Sequence, residues 1–247
     1  MSSSILKAEA RALIKANAPK IILVGIVYLV VTTFITQLQS HLPAPANIYP
    51  QFHANEISAE QFFASFRPHG ILLALLLGLM LPTISTGYNY YCLKITRAQD
   101  ADYKDLLRGL NMFLKVIALS IVSSFFVMLW SFLFVIPGII AIYRYRQAYF
   151  ILLDDPTKGV LQCITESKYL MHGRKIDLFL IDLSFIGWNM LSLLVLLFII
   201  PFFPIVRIWL APYYTLVLAN YYNQLIADTN NTDEADEVES HTTDGEV

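Results

Sequence analysis

The sequence is short of charge, of cysteine and of every common catalytic signature. Charged residues fill 15% of its 247 positions, well under the quarter that coats an ordinary soluble domain. A water-soluble fold of this length is thereby disfavoured. The two cysteines, Cys92 and Cys163, exclude a disulfide framework and are expected on the reducing, cytoplasmic side. No His-Glu-x-x-His, Gly-x-Ser-x-Gly, phosphate-cradling glycine loop or Cys-x-x-Cys occurs, so hydrolase, nucleotide and zinc chemistry lack their usual parts. No catalytic residue, no metal ligand and no cofactor is expected, since His41, His53 and His69 lack ligand spacing. Nucleic acid is disfavoured because the bases line one membrane face and the C-terminal tail is acidic.

What the chain has instead is apolar length. Hydrophobic residues make up 56% of the sequence, gathered in runs of about 20, the length that crosses a bilayer core of about 30 Å. The expected fold is all-α: a polytopic transmembrane bundle of about six spans, at 20–38, 70–92, 116–136, 138–153, 176–200 and 203–226, carrying short amphipathic cytoplasmic helices. Pro82 and Gly87 are expected kink points. The Pro137-Gly138 pair is the expected corner between spans three and four, because 114–153 as one helix would measure about 60 Å, twice the hydrocarbon thickness. Pro201 and Pro204 bracket the expected turn between spans five and six.

Charge orients the bundle. Segments 1–20, 94–115 and 144–175 hold 15 of the 17 Lys and Arg, which predicts a multi-pass protein of the cell membrane with N- and C-termini cytoplasmic. Residues 228–247 carry eight acids and no base, leaving the rest of the chain at +6; they are expected to form a disordered acidic tail. Ser58 and Gln61 form a capping-box pattern ahead of Phe62, Phe63 and Phe66. On the cytoplasmic side Tyr103, Leu106, Leu107 and Leu110 follow Asp102 at helical spacing, and a second short helix is expected to start with Asp155 as N-cap, Pro156 at its first position and Gly173 as its stop.

Polar groups at membrane depth are the candidate sites. Arg146 lies about 12 Å from the end of helix four and Asp182 about 9 Å into helix five, by the helical rise of about 1.5 Å per residue. Charges so placed need partners. Asp182 is expected to pair with Arg146 or Arg144, with Asn189 on the same face, either as a structural clasp or as a transport site. Lys94, Arg97, Tyr143 and Tyr145 are candidates for holding lipid headgroups at the cytoplasmic rim.

Four stretches carry a family resemblance: Ile136-Pro137-Gly138-Ile139 with Tyr143-Arg144-Tyr145-Arg146, Ile151 to Pro156, LFLIDLSFIGW at 178–188, and Pro212-Tyr213-Tyr214 with Ala219-Asn220-Tyr221-Tyr222. In this order they resemble the bacterial membrane proteins grouped as domain of unknown function 975, over roughly residues 1–227. The family usually has Asn where Asp155 stands. The resemblance implies an integral protein of the bacterial envelope with no assigned activity. The expected function is therefore non-enzymatic: a scaffold, accessory or lipid-interacting component, with membrane lipids, a membrane protein or a second copy as partner. The alternative is a transporter or channel for a small solute or amphiphile, using the Arg/Asp cluster.

Overall fold

The computed structural model describes residues 3–45, 48–54, 56–198 and 205–243. Helix is the regular structure throughout, and no strand occurs among the described residues. The elements in order are α1 (Ser3–Asn17), α2 (Lys20–His41), α3 (Ile48–His53), α4 (Ala59–Ala64), α5 (Pro68–Thr96), a 3-10 turn (Tyr103–Leu107) leading into α6 (Arg108–Asn111), α7 (Phe113–Leu133), α8 (Val135–Tyr145), α9 (Ala148–Asp154), α10 (Val160–Leu170), α11 (Lys175–Phe198) and α12 (Ile205–Thr243). Among the described residues three helices, α2, α5 and α7, are long and apolar enough to cross a membrane. Their outward faces are apolar and exposed, as at Leu75, Phe125 and Phe132, a surface that only lipid or protein would cover.

The reversal after α7 comes three residues earlier than expected. Phe134 is extended (φ −161°, ψ 156°) and caps α8, so Pro137 sits in the first turn of α8, where its missing N–H costs nothing. Pro137 therefore marks a helix start, not the break itself. Gly138 faces Ser131 across the hairpin, and a Cβ there would run into that residue. The expected helix over 138–153 is two in tandem, α8 and α9, joined through Arg146 and Gln147, which both keep αR backbone.

Other expectations meet mixed outcomes. Ser58 and Gln61 form the capping box, with Phe52, Phe62 and Phe66 clustered around it. Asp102 is the N-cap of the 103–107 turn, boxed with Asp105. Asp155 is not one: its carboxylate accepts from the Thr157 N–H and hydroxyl, and α10 begins only at Val160 after Gly159. The hydroxyl and N–H of Thr157 also hold Asp155 below its ordinary pKa. The intervening turn is held instead by the Lys115 ammonium, which donates to the carbonyls of Pro156, Thr157 and Lys158. α10 ends at Leu170 with Met171 as its C-cap, two residues ahead of the expected stop Gly173, which lies in the following turn at φ +73°.

Two elements were not anticipated in this form. α1 buries Leu6, Ala10 and Ile14, one stripe at i, i+4, i+8, and packs mainly on α12. The Lys7 ammonium lies 5.6 Å from the Phe185 ring centroid. α12 itself continues to Thr243, across 228–243 of the stretch read above as an acidic tail; extending a helix already nucleated in the bundle avoids the cost of a new nucleus. The turn assigned to Pro201 and Pro204 lies outside the described residues.

α5 runs unbroken through both expected kink points, with the Thr86 hydroxyl donating to the Pro82 carbonyl at 2.8 Å. Gly87 and Gly109 let α5 and the 103–111 segment touch backbone to backbone: a Cβ at Gly87 would strike the Leu106 carbonyl, and one at Gly109 the Thr83 carbonyl. Gly187 on α11 has open space around it. Gly87→Val should therefore destabilise the protein by about 1–3 kcal/mol through overpacking, whereas Gly187→Ala should stabilise it by up to about 1 kcal/mol through helix propensity. Thermal unfolding in detergent checks both, and a tolerated valine at position 87 would refute the close approach.

Candidate functional site

The most polar group of the bundle interior gathers on α8, α11 and α12. Asp182 Oδ2 accepts from Arg146 Nη1 at 2.5 Å and from the Tyr143 hydroxyl at 3.1 Å. Asp182 Oδ1 accepts from the Tyr214 hydroxyl at 2.7 Å, and Arg146 Nη2 donates to the same Tyr214 oxygen. Both carboxylate oxygens are thus answered. The side chains of Arg146 and Asp182 retain 26% and 20% exposure, so the pair is screened more than a fully buried one and less than a surface one.

Helix geometry explains which arginine is chosen. Positions 144 and 146 differ by about 200° around a helix of 3.6 residues per turn, so only one of them can face α11. Arg146 takes that face; Arg144 forms no ion pair among the described residues, and its Nε is buried without a hydrogen-bond partner. Of the two arginines named for Asp182, Arg146 therefore makes the pair. Asn189 shares the Asp182 face, two turns along, but its amide donates to the Phe185 carbonyl at 3.0 Å and not to the cluster.

Two cavities flank this knot. The larger, about 640 Å³, is lined by Asp182, Tyr143, Tyr214 and Asn189 together with Asn89 and Arg207. The smaller, about 420 Å³, lies on the α7 side and takes in Arg146, Tyr145, Ser123 and Ser124. The Arg146–Asp182 pair joins a residue lining one cavity to a residue lining the other.

A second polar knot, missed by sequence reasoning, closes the ends of α5 and α9 against the middle of α12. Arg97 makes a bidentate pair with Asp154, at 2.5 and 2.9 Å. Tyr222 donates to Asp154 at 2.8 Å, and Asn223 links Arg97 to Thr96. Hydrogen bonding to Asp154 raises the Arg97 pKa above its ordinary value despite the opposing effect of burial. Asp154 is the last residue of α9. The available signal was its place at the end of a helix with Tyr222 and Arg97 at matching depth.

The four headgroup candidates are all engaged inside the protein. Lys94 pairs with Asp105 at 2.9 Å, Arg97 with Asp154 and Tyr143 with Asp182. Tyr145 is buried, with the Lys168 ammonium 5.7 Å from its ring centroid. Among the described residues no group of His, Cys, Asp and Glu is arranged to hold a metal ion.

Tyr214→Phe should cost about 1–2 kcal/mol of stability, because it strips a donor from Asp182 and leaves both ions short of a partner. Tyr143→Phe, at the longer contact, should cost less. Equal and negligible losses in an SDS-unfolding titration would contradict the geometry.

The family described as Protein of unknown function (DUF975) matches residues 133–229. No curated protein and no solved structure matches the chain. The matched stretch begins at Leu133, so α1 to α7 lie almost wholly outside it, and the resemblance is narrower than the 1–227 expected. It nevertheless contains Tyr143, Arg146, Asp154, Asp182, Tyr214 and Tyr222. Over that stretch, which supplies every residue of the Asp182 knot, the chain resembles the Protein of unknown function (DUF975) family.

Proposed function

We propose that this chain is a six-span protein of the bacterial plasma membrane, both termini cytoplasmic, that works by binding lipid or a protein partner and not by catalysing a reaction. α8 and α9 in tandem cover 20 residues and α11 covers 24, about 30 and 36 Å at the helical rise, each enough to match the hydrocarbon thickness. With the first part of α12 they add three spans to α2, α5 and α7. The observation that carries the non-catalytic reading is the saturation of Asp182: its two oxygens take three donors from two other helices. A carboxylate so held is a register-setting clasp and a poor general base.

A second reading, a transporter for a small solute or amphiphile, draws on one specific observation, the pair of cavities joined at Arg146 and Asp182. An ion pair between two open spaces is placed as a gate would be. Reconstituted vesicles separate the two readings. Asp182→Asn should lower thermal stability yet leave solute flux unchanged over a broad panel, and lipid or a partner should co-purify reproducibly from native membranes. A flux that depends on Asp182 would transfer the case to the transporter.

A further inference from the structure

The larger cavity has a charge its own walls leave unanswered. Arg207 and Tyr214 both line it from α12, seven residues and hence about 10 Å apart along the helix. At the Tyr214 end Asp182 is neutralised by Arg146. Arg207, by contrast, forms no ion pair and no hydrogen bond among the described residues, and it is exposed. Asn89, on the α5 wall, likewise bonds to no other described side chain. Phe185, Ile186 and Leu210 are apolar lining between these points. A volume of about 640 Å³ falls in the range of small-molecule sites, about 300–1,000 Å³.

We infer that this cavity is a binding site for an anionic amphiphile, whose headgroup pairs with Arg207 and whose chain lies along the apolar wall. The inference rests on the lipid-interacting reading above and gives it a place and a ligand class. Charge makes the choice of sign: with the Arg146–Asp182 pair balanced, the site carries one uncompensated positive charge at Arg207, the third residue of α12. An anion answers that charge. Arginine also recognises phosphate and carboxylate oxygens through paired N–H donors, and Asn89 offers an amide donor from the opposite wall. A phospholipid phosphodiester and a fatty-acid carboxylate share this chemistry.

The test uses delipidated full-length protein titrated with phosphatidylglycerol, oleate or uncharged monoolein, with occupancy read by native mass spectrometry. An anionic ligand should bind about tenfold more tightly than monoolein, the size of one charge-assisted contact. Arg207→Gln should abolish that preference and Arg207→Lys should largely keep it. Ala211→Trp, which fills the cavity, should block binding, while Leu75→Trp on the exposed face of α5 should not. Preference for phosphatidylglycerol over oleate assigns the phosphodiester, and the reverse assigns the carboxylate. Equal affinity for all three, or an anionic preference that survives both Arg207→Gln and Ala211→Trp, overturns the site while leaving the lipid-interacting reading standing. Failure to retain any lipid removes both.

Discussion

The knot around Asp182 depends on one chain reversal. Phe134 adopts extended backbone between α7 and α8, and that single residue turns the chain back on itself. Were residues 113–145 one continuous helix, Arg146 would stand about 50 Å from the start of α7, beyond the reach of any residue on α11. The reversal instead brings Arg146 level with Asp182. In lipid an unpaired arginine or aspartate would cost several kcal/mol, so hairpin and ion pair enforce each other.

The two knots divide the work. Arg146, Asp182, Tyr143 and Tyr214 fix α8, α11 and α12 about seven residues inside the bundle, while Arg97, Asp154, Tyr222 and Asn223 fix α5, α9 and α12 at its end. Each joins one ion pair to at least one tyrosine hydroxyl. Hydrocarbon gives helices no hydrophobic reason to associate, so packing and cross-helix hydrogen bonds must supply the specificity. Gly87 and Gly109 provide the close backbone contact, and the knots provide the register. α12 takes part in both, which makes it the spine of the structure.

The legible parts of the sequence were those governed by one-dimensional rules. The apolar length of α2, α5 and α7, the capping box at Ser58, and the matching depths of Arg146 and Asp182 all follow from counting residues along a helix. What counting missed was rotation and partner choice. Tyr214 and Tyr222 lie in stretches that drew attention, yet nothing in linear order says that they face Asp182 and Asp154. Asp155 misled because an acid before proline reads as an N-cap, and the competing Thr157 and Lys115 bonds are visible only in three dimensions. Pro137 misled for the opposite reason: proline is compatible with a helix start, so the break fell on the residue that carried no signal at all, Phe134.

The central claim is that Arg146 and Asp182 are a coupled pair holding α8 against α11. A double-mutant cycle with Arg146→Met and Asp182→Leu, read by SDS-unfolding free energies, tests it most directly. The account predicts that each single change is destabilising, that the double variant recovers most of the loss, and that the coupling is at least about 2 kcal/mol. Losses that add to within about 0.5 kcal/mol would contradict it.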